Sequence, residues 1–450
     1  MIASEKELSI LADALRVLGE GFSDLPEFER TRDWQSIENA VLAAADAMHD
    51  NYPYGHPLYA GQMLKPPHPV ARLAYQMALW INPNNHALDG GRASSRMEKS
   101  AVEQIASMYD WDTYLGHLTS SGTLANLEAL WIAGQEHPGK TVVASSDAHY
   151  THHRLCRVLG LPFEEIASDG AGKMCTASLE AKLANGNIGT IVATLGTTGY
   201  GAVDPLHEIL PLAQRYRVRV HVDAAYGGYF VLANRLSETA RAAFASIRHT
   251  DSIAIDPHKH GLQPYGCGCV LFREPGVGRH YDHQSPYTYF SSDELHLGEI
   301  SLECSRAGAA AVALWATQQA LPLDRDGEFA IDLSRCLSAA RALATSIVDD
   351  DATYLVTDPE LDIVVWAMHP TDSTPASVLA QRVFDHAAAA NLHLALIEVP
   401  NTRLPAEFHT SDAQTVTCLR SCLMKPEHLD ALPLITEKLK AAMSRARADL

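Results

Sequence analysis

The sequence contains no segment suited to cross a membrane and no excess of positive charge. It has no run of about eighteen uncharged apolar residues, and its first residues lack the basic and apolar segments of a secretory signal. Asp and Glu number 54 against 35 Lys and Arg, which gives the 450-residue chain a net charge of −19. Recognition of nucleic acid requires a basic face. We therefore expect a cytoplasmic protein that binds neither nucleic acid nor membranes.

Cysteines are few and dispersed. They stand at positions 156, 175, 267, 269, 304, 336, 418 and 422. Such dispersion in a long chain is typical of reduced thiols in a cytosolic protein. Cys267 and Cys269 are spaced C-x-C within an apolar run, where small core residues are a better interpretation than zinc ligands. The sequence also shows no internal repeat and no low-complexity segment, which argues against a solenoid.

The pattern of apolar residues predicts three parts, since 450 residues are more than one hydrophobic core usually serves. Helix-patterned segments near 6–22 and 35–49 predict an N-terminal helical arm over residues 1–55. Residues 56–310 alternate strands with helices and predict a large α/β domain. Residues 311–450 mix short strands with helices and predict a small α+β domain. The arm is too small for a core of its own, so we expect it to cover a larger surface, such as a second subunit.

The large domain is predicted to contain a mainly parallel sheet. Its strands are nearly continuous apolar runs, at 141–145, 188–195, 218–222, 252–255 and 267–272. Alternation of such strands with helices predicts a sheet that is covered on both faces. Ligands of these sheets bind at the carboxyl ends of the strands. The polar residues that follow the strands are therefore the first candidates for a site.

A run of small hydroxyl residues leads directly into a predicted helix at Thr119–Leu130. The free N–H groups and the dipole of a helix start, with Gly122 and the hydroxyls of Ser121 and Thr123, form an anion site suited to phosphate. Ser and Thr are also favoured helix caps without any ligand. The sequence leaves both interpretations open.

His149 follows the strand at 141–145. An imidazole there can stack on a planar cofactor or act as an acid or a base. His149 and His153 have the i, i+4 spacing of a helical metal pair, but Tyr150 stands where an H-E-x-x-H motif has its glutamate. No third ligand is evident at a typical spacing, so we expect no metal.

An acid and a lysine stand at the carboxyl ends of two further predicted strands. Asp223 ends the strand at 218–222, and Lys259 follows the strand at 252–255. The small residues after Asp223, Ala225 among them, would let a flat ring lie against the backbone while the carboxylate reaches a ring nitrogen. Asp223 could instead cap a helix, and most lysines are solvated surface charges. Together, however, a phosphate site, a ring-facing imidazole, an acid and a lysine able to form a Schiff base are the parts that hold and use pyridoxal 5′-phosphate.

The chain resembles the group II pyridoxal-dependent amino-acid decarboxylases, which include glutamate, aromatic-amino-acid and diaminobutyrate decarboxylases. The resemblance spans about residues 56–315 and is specific at the motifs His56–Met63, Ser120–Asn126, Ala193–Pro205, His221–Gly228 and Asp256–Lys259. It implies a fold-type I enzyme with a large mainly parallel sheet domain, an N-terminal helical arm and a small α+β C-terminal domain. It also implies pyridoxal 5′-phosphate as cofactor, an amino acid as substrate and a homodimer as the minimal unit.

The resemblance implies roles for individual residues. Lys259 would bind the cofactor as a Schiff base, Asp223 would contact the pyridine nitrogen and His149 would stack on the ring. The full set of implied cofactor-binding residues is Ser121, Gly122, Thr123, His149, Thr198, Asp223, Ala225, His258 and Lys259.

The resemblance identifies the residues that would bind the substrate less clearly than those that would bind the cofactor. Arg306 looks like an arginine that the family places near the substrate carboxylate, although an exposed surface arginine is the alternative. The proton returned to the substrate would come from a loop tyrosine, Tyr287 or Tyr289, in a loop that departs from the family pattern. His56 lies in an irregular Pro- and Gly-rich segment at 52–69, which lines the substrate site or is a wrapped surface loop.

The implied reaction is α-decarboxylation of an L-amino acid through an external aldimine and a quinonoid, with release of carbon dioxide and an amine. A carbon–carbon lyase like the sphingosine-phosphate lyases would use the same lysine and acid, and that group shares the pattern HK-x-G-x-x-P-x-G of residues 258–266. A non-catalytic homologue that serves as an interaction partner is the alternative from another class. Similarity around residues 258–268 to bacterial glutamate decarboxylases favours an acidic substrate, but the sequence does not select one.

Overall fold

The computed structural model describes residues 3–26, 31–282, 294–410 and 413–449. The helices in these residues are α1 (Glu5–Glu20), α2 (Trp34–Ala47), α3 (Pro69–Leu79), α4 (Arg92–Ser107), α5 (Gly122–Glu136), α6 (Thr151–Leu159), α7 (Thr176–Asn185), α8 (Leu206–Tyr216), α9 (Glu238–Ala245), α10 (Gly308–Ala320), α11 (Glu328–Val348), α12 (Ala376–Ala389) and α13 (His428–Ala448). The strands are β1 (Leu115–Thr119), β2 (Thr141–Ser145), β3 (Phe163–Ile166), β4 (Ile188–Thr194), β5 (Arg219–Asp223), β6 (Ser252–Ile255), β7 (Gly268–Phe272), β8 (Thr353–Leu355), β9 (Ile363–Met368), β10 (Ala395–Pro400) and β11 (Thr415–Cys422).

A seven-stranded sheet forms the centre of the protein, with strand order β1-β7-β6-β5-β4-β2-β3. Six of the seven strands run in the same direction, and β7 runs opposite to them. The sheet is therefore mainly parallel, as the sequence predicts. Every residue of β2, β4, β6 and β7 is buried, because helices cover both faces. The α/β class is confirmed, and the five predicted strands of this sheet lie within one residue of their predicted bounds.

Two strands of this sheet have no clear signal in the sequence. β1 contains a glycine and a histidine, and β3, at the edge of the sheet, carries two exposed glutamates in its middle. Neither is a continuous apolar run. Both are strands because they pair with β7 and β2, respectively.

A second, antiparallel sheet of order β10-β11-β9-β8 packs with α11, α12 and α13. Its strand β9 is buried at every residue, including Trp366. The boundary that the sequence predicts at residue 310 falls inside α10, and α10 packs against α3 and α4. The boundary between the two larger parts stays a prediction.

The N-terminal helices lie on the outside of the protein. Neither α1 nor α2 has a buried residue, and their large exposed apolar side chains include Leu8, Val17, Trp34 and Val41. α1 packs against α3, where Arg72 forms an ion pair with Glu7 at 2.6 Å. Within the described ranges, no helix is long and apolar enough to span a bilayer.

His428, at the start of α13, connects the C-terminal helix to the 52–69 segment through a contact with the backbone of Tyr59. It is fully buried; its Nδ1 accepts a hydrogen bond from the N–H of Lys425 at 3.2 Å, and its Nε2 lies 3.3 Å from the carbonyl oxygen of Tyr59. Burial, reinforced by the positive charge of Lys425, lowers the pKa of His428 to about 4. The fold therefore holds this imidazole in its neutral form.

We predict that His428 makes the protein less stable in mild acid. Because the pKa of His428 is lower in the folded protein, the unfolded chain takes up the proton first as the pH falls. The contribution of neutral His428 to the free energy of unfolding is therefore complete above about pH 6.5 and is lost as the pH falls toward the folded pKa. Between about pH 7.5 and pH 5 the free energy of unfolding of the wild type should fall by about 2 kcal/mol more than that of His428→Gln. Denaturant titrations at both pH values measure this difference. The exposed His153→Gln variant is the control, and equal falls in wild type and His428→Gln would contradict the prediction.

Candidate active site

A cleft of about 220 Å³ opens at the carboxyl ends of β4, β5 and β6. It is lined by Ser121, Gly122, Thr123, Asn126, His149, Thr151, Thr194, Gly196, Thr198, Asp223, Ala225, Tyr226, Asp256, His258 and Lys259. All nine residues that the sequence predicts for cofactor binding are in this set. Their convergence follows from the parallel strands, whose carboxyl ends meet at one edge of the sheet.

Lys259 lies in the turn that follows β6. Its Nζ is 3.1 Å from Oδ2 of Asp256, the residue that directly follows β6. The carboxylate of Asp256 is buried, and its Oδ1 has no hydrogen-bond partner in the described part of the chain. The cleft therefore contains a lysine amine next to an unsatisfied buried acceptor. A buried polar group of this kind is stabilised when a ligand completes its contacts.

The start of α5 closes one end of the cleft. Ser121 caps the helix by accepting a hydrogen bond from the N–H of Leu124 at 3.3 Å. A Cβ atom at Gly122 would lie 2.5 Å from the Asp256 carboxylate, so the helix can approach this acid only with glycine there. The first N–H groups of a helix have no acceptor within it, and Thr123 adds an exposed hydroxyl. These groups fit a phosphate.

Asp223, at the end of β5, is the second buried acid of the cleft, after Asp256. Its Oδ2 accepts a hydrogen bond from Nε2 of His152 at 2.8 Å, and its Oδ1 accepts one from the N–H of Ala225 at 3.1 Å. Burial alone would raise the pKa of Asp223, but the hydrogen bond from His152 and the positive charge of Lys259 lower it below its usual range. Asp223 is therefore an ionised carboxylate, suited to hold a proton on a ring nitrogen.

His149 lines the cleft from the turn before α6. Its Nδ1 accepts a hydrogen bond from the N–H of Thr151 at 3.3 Å and lies in contact with the Thr151 hydroxyl. Burial lowers the pKa of His149, which favours a neutral ring that can lie flat against another ring. His149 and His153 belong to no group of three or more metal-ligating side chains in the described ranges.

Two predicted site residues of the described ranges, His56 and Arg306, are not among those that line the cleft. His56 is exposed, and its Nδ1 accepts a hydrogen bond from the N–H of Leu58. Arg306 is buried in an ion pair with Glu98 at 2.6 Å, and it lines a separate cavity with Ser120 and Glu303. A substrate role for His56 or Arg306 stays a prediction without support from the cleft. Tyr287 and Tyr289 lie outside the described residues.

The surface-arginine alternative for Arg306 does not fit its environment either. Its guanidinium donates to the Glu98 carboxylate and to the carbonyl oxygens of Leu118 and Asn85. Glu98 also accepts from the N–H of Leu118, the residue before the end of β1. Arg306 thus neutralises a buried glutamate that fixes the strand leading into the start of α5.

Arg420 is the cation that the sequence pattern did not single out. It lies on β11 of the second sheet, is 5% exposed, and donates from Nη2 to the carbonyl oxygen of Thr198 at 2.7 Å and from Nε to that of Gly199 at 3.1 Å. No carboxylate of the described residues forms an ion pair with it. No local motif identifies such an arginine, because its position beside Thr198 depends on how the two sheets pack.

The arrangement fits pyridoxal 5′-phosphate on structural grounds. The helix start of α5 suits a phosphate, the ionised Asp223 suits a protonated ring nitrogen, and Lys259 supplies a primary amine beside an incompletely bonded acid.

Comparison with known proteins identifies the family. The model of the pyridoxal-dependent decarboxylase conserved domain matches residues 133–369, more than half of the chain. The probable L-tyrosine/L-aspartate decarboxylase of Methanothermobacter thermautotrophicus is 29% identical over 315 residues, which cover 69% of this chain and 82% of that protein. The L-aspartate decarboxylase of Thermococcus kodakarensis is 29% identical over 309 residues, or 68% of this chain and 77% of that protein.

Solved structures share the fold over nearly the whole chain. Mouse CSAD has a TM-score of 0.77 at 21% identity and covers 98% of this chain and 92% of its own. The glutamate decarboxylase domain of diaminobutyrate-pyruvate transaminase and L-2,4-diaminobutyrate decarboxylase from Vibrio parahaemolyticus has a TM-score of 0.76 at 18% identity and covers 100% and 98%. The predicted fold-type I architecture is confirmed. Fold, cleft and family model agree that the chain belongs to the pyridoxal-dependent decarboxylase family, as a carboxy-lyase that uses pyridoxal 5′-phosphate.

Proposed function

We propose that this carboxy-lyase is an L-amino-acid α-decarboxylase that releases carbon dioxide and an amine. The observation that carries the proposal is the meeting of Lys259, ionised Asp223 and His149 in one cleft of a chain from this family. These residues are intact, which also argues against a non-catalytic homologue. The net charge of −19 favours a small-molecule partner over nucleic acid.

The predicted residues would hold the cofactor from four sides. Lys259 would bind it covalently, and Ser121, Gly122, Thr123 and His258 would contact its phosphate. Asp223 would face the ring nitrogen, with His149, Thr198 and Ala225 around the ring. When bound, pyridoxal 5′-phosphate supplies an electrophilic carbonyl and a ring that accepts electrons from the breaking bond.

The protein side chains have distinct tasks in this reaction. Asp223 would hold a proton on the ring nitrogen because its own carboxylate is ionised. The Lys259 amine, close to the Asp256 carboxylate, would pass a proton to and from the substrate amine. His149 would cover one face of the ring and exclude water there. The proton returned to Cα is predicted to come from Tyr287 or Tyr289.

We propose Arg420 as the group that binds the α-carboxylate of the substrate. It is a buried cation without an acid partner in the described residues, and it is fixed by the backbone of Thr198, which lines the cleft. Its Nη1 has no hydrogen-bond partner in the same ranges. A guanidinium so placed can hold a carboxylate by a charge-assisted hydrogen bond.

The substrate is proposed from the names of the relatives and from the similarity of residues 258–268 to bacterial glutamate decarboxylases. The compared relatives are named as L-aspartate and L-tyrosine decarboxylases, so these two amino acids and L-glutamate are the first to test. The carbon–carbon lyase alternative uses the same fold, since a sphingosine-1-phosphate lyase of Burkholderia pseudomallei has a TM-score of 0.75 at 16% identity. That alternative would release an aldehyde and no carbon dioxide.

We further propose a homodimer, for which the N-terminal helices give a physical reason. α1 and α2 expose Leu8, Val17, Trp34 and Val41 together with other large apolar side chains, although neither helix has a buried residue. Exposed apolar surface of this kind marks an interaction site. A second copy of the chain would cover it.

The decisive experiment for the reaction is carbon dioxide release combined with the visible absorption of bound cofactor. Purified protein should absorb in the visible range with pyridoxal 5′-phosphate and release carbon dioxide from at least one L-amino acid in a screen of the common twenty. Lys259→Ala should lose both the covalent absorption and the activity, while the surface control Lys140→Ala should keep both. Absorption without carbon dioxide from any amino acid would contradict the decarboxylase and favour the lyase.

The two arginines should respond differently to substitution. Arg420→Met should raise KM for the amino acid about tenfold or more, because it removes a charge-assisted contact to substrate. It should also lower the free energy of unfolding by about 2 kcal/mol, because the carbonyl oxygens of Thr198 and Gly199 lose their donor. Arg306→Met should leave KM nearly unchanged and lower the free energy of unfolding by about 3 kcal/mol, because it leaves Glu98 as a buried charge without its cation. Steady-state kinetics and urea unfolding of both variants test this pair. A KM effect in Arg306→Met with unchanged stability would reverse the assignment.

The dimer is tested by sedimentation equilibrium. We expect a mass twice that of the 48.9 kDa chain, and deletion of residues 1–50 should expose the covered surface and produce monomers or aggregates. An active monomer at micromolar concentration would overturn the proposal.

A further inference from the structure

We propose that His152 is a positioning residue that fixes the ionised Asp223 carboxylate for its contact with the cofactor ring nitrogen. The inference rests on the proposed function only in assigning Asp223 to that nitrogen. His152 lies on α6, three residues after His149, and its side chain is fully buried. It is separate from the nine residues predicted to bind the cofactor.

The contacts of Asp223 leave its carboxylate little freedom. His152 Nε2 donates to one oxygen at 2.8 Å, and the Ala225 N–H donates to the other at 3.1 Å. One donor comes from a helix and the other from the backbone after β5, so the plane of the carboxylate is fixed by two different elements. Each oxygen keeps a further lone pair for a ligand in the cleft.

The second nitrogen of His152 indicates which tautomer makes this bond. Nδ1 is buried and has no hydrogen-bond partner in the described part of the chain. A proton on Nδ1 would be a buried donor without an acceptor, which costs free energy. The tautomer that carries its proton on Nε2 is therefore favoured. In this form Nε2 donates its proton to the Asp223 carboxylate at 2.8 Å.

In the described ranges, the imidazoles of His221 and His149 have hydrogen-bond partners other than Asp223. His221 lies one strand position before Val222 on β5, but its Nε2 pairs with the Asn126 amide oxygen at 2.8 Å and its Nδ1 with the Ser252 hydroxyl at 2.9 Å. Both nitrogens of His221 are thus committed. His149 makes its contacts with Thr151. The side-chain donor to Asp223 is His152.

The test compares three variants of His152 in the full chain. Glutamine carries its amide nitrogen as many bonds from Cα as His Nε2, asparagine carries it one bond closer, and leucine has no donor. His152→Leu and His152→Asn should lower kcat about ten- to a hundredfold and weaken pyridoxal 5′-phosphate binding, with KM within about threefold of wild type, since a charge-assisted hydrogen bond is lost. His152→Gln should recover most of kcat and of the cofactor affinity. Equilibrium dialysis measures the cofactor affinity independently of turnover.

Matched controls separate this role from a structural one. His153 is exposed on the same helix and stacks on Phe163, so His153→Leu should leave kcat and cofactor affinity unchanged. If His152→Leu does not fold, as judged by the thermal unfolding of the apoprotein, the comparison of glutamine with asparagine decides. Wild-type kcat and cofactor affinity in His152→Leu, or equal loss in the glutamine and asparagine variants, would overturn the inference.

Asp223→Asn distinguishes failure of the inference from failure of the proposed function. If Asp223→Asn abolishes turnover while His152→Leu does not, Asp223 keeps its role and the inference about His152 is wrong. If the wild type releases no carbon dioxide but still binds the cofactor more tightly than His152→Leu does, the decarboxylase proposal fails and the positioning role stands.

Discussion

The pairing of β5 with β6 is the constraint on which the active site depends. In the observed register Asp223 lies opposite Ala254, two residues before Asp256, so both strands end at the same edge of the sheet. Neighbouring strands are separated by about 4.8 Å, and the turn after Pro257 then brings the Lys259 amine to the cleft that Asp223 lines. A shift of one residue would turn Asp223 to the opposite face. The relative position of acid and lysine is thus a property of the sheet.

The buried acids of the cleft, Asp223 and Asp256, each have a partner that makes their burial possible. Asp256 lies beside the Lys259 amine, Asp223 accepts from His152 and Ala225, and both acids would be costly to bury alone. The same principle operates at Glu98, which is buried next to Arg306. The contacts of Asp256 and Asp223 shape the cleft directly, and the pair of Glu98 with Arg306 supports the strand that leads into its phosphate end.

The part of the chain that carries the second sheet makes polar contacts with residues in and around the cleft. Asp362 accepts a hydrogen bond from the Tyr226 hydroxyl at 2.6 Å, and Tyr226 lines the cleft. Glu360 pairs with Lys173 at 2.6 Å, and Arg403 pairs with Asp147, which precedes His149 by two residues. With Arg420 on Thr198, these contacts fix the part of the molecule that would meet the substrate. They involve residues far apart in the chain.

The sequence by itself determined the elements and residues whose signals are local. Continuous apolar runs predicted β2, β4, β5, β6 and β7, and the polar residues after those strands predicted Asp223, Lys259 and His149. The run of small hydroxyl residues at 119–123 predicted the start of α5. The family resemblance added the cofactor and the reaction class, which spacing alone did not supply. Tertiary structure decided the rest. β1 and β3 are strands because they pair with β7 and β2, and His152 on α6 donates to Asp223 at the end of β5. Arg306 forms an ion pair with Glu98, whereas Arg420 lies beside the cleft. The physical reason is that a long polar side chain takes its partner from the elements packed around it, and local sequence does not encode that packing.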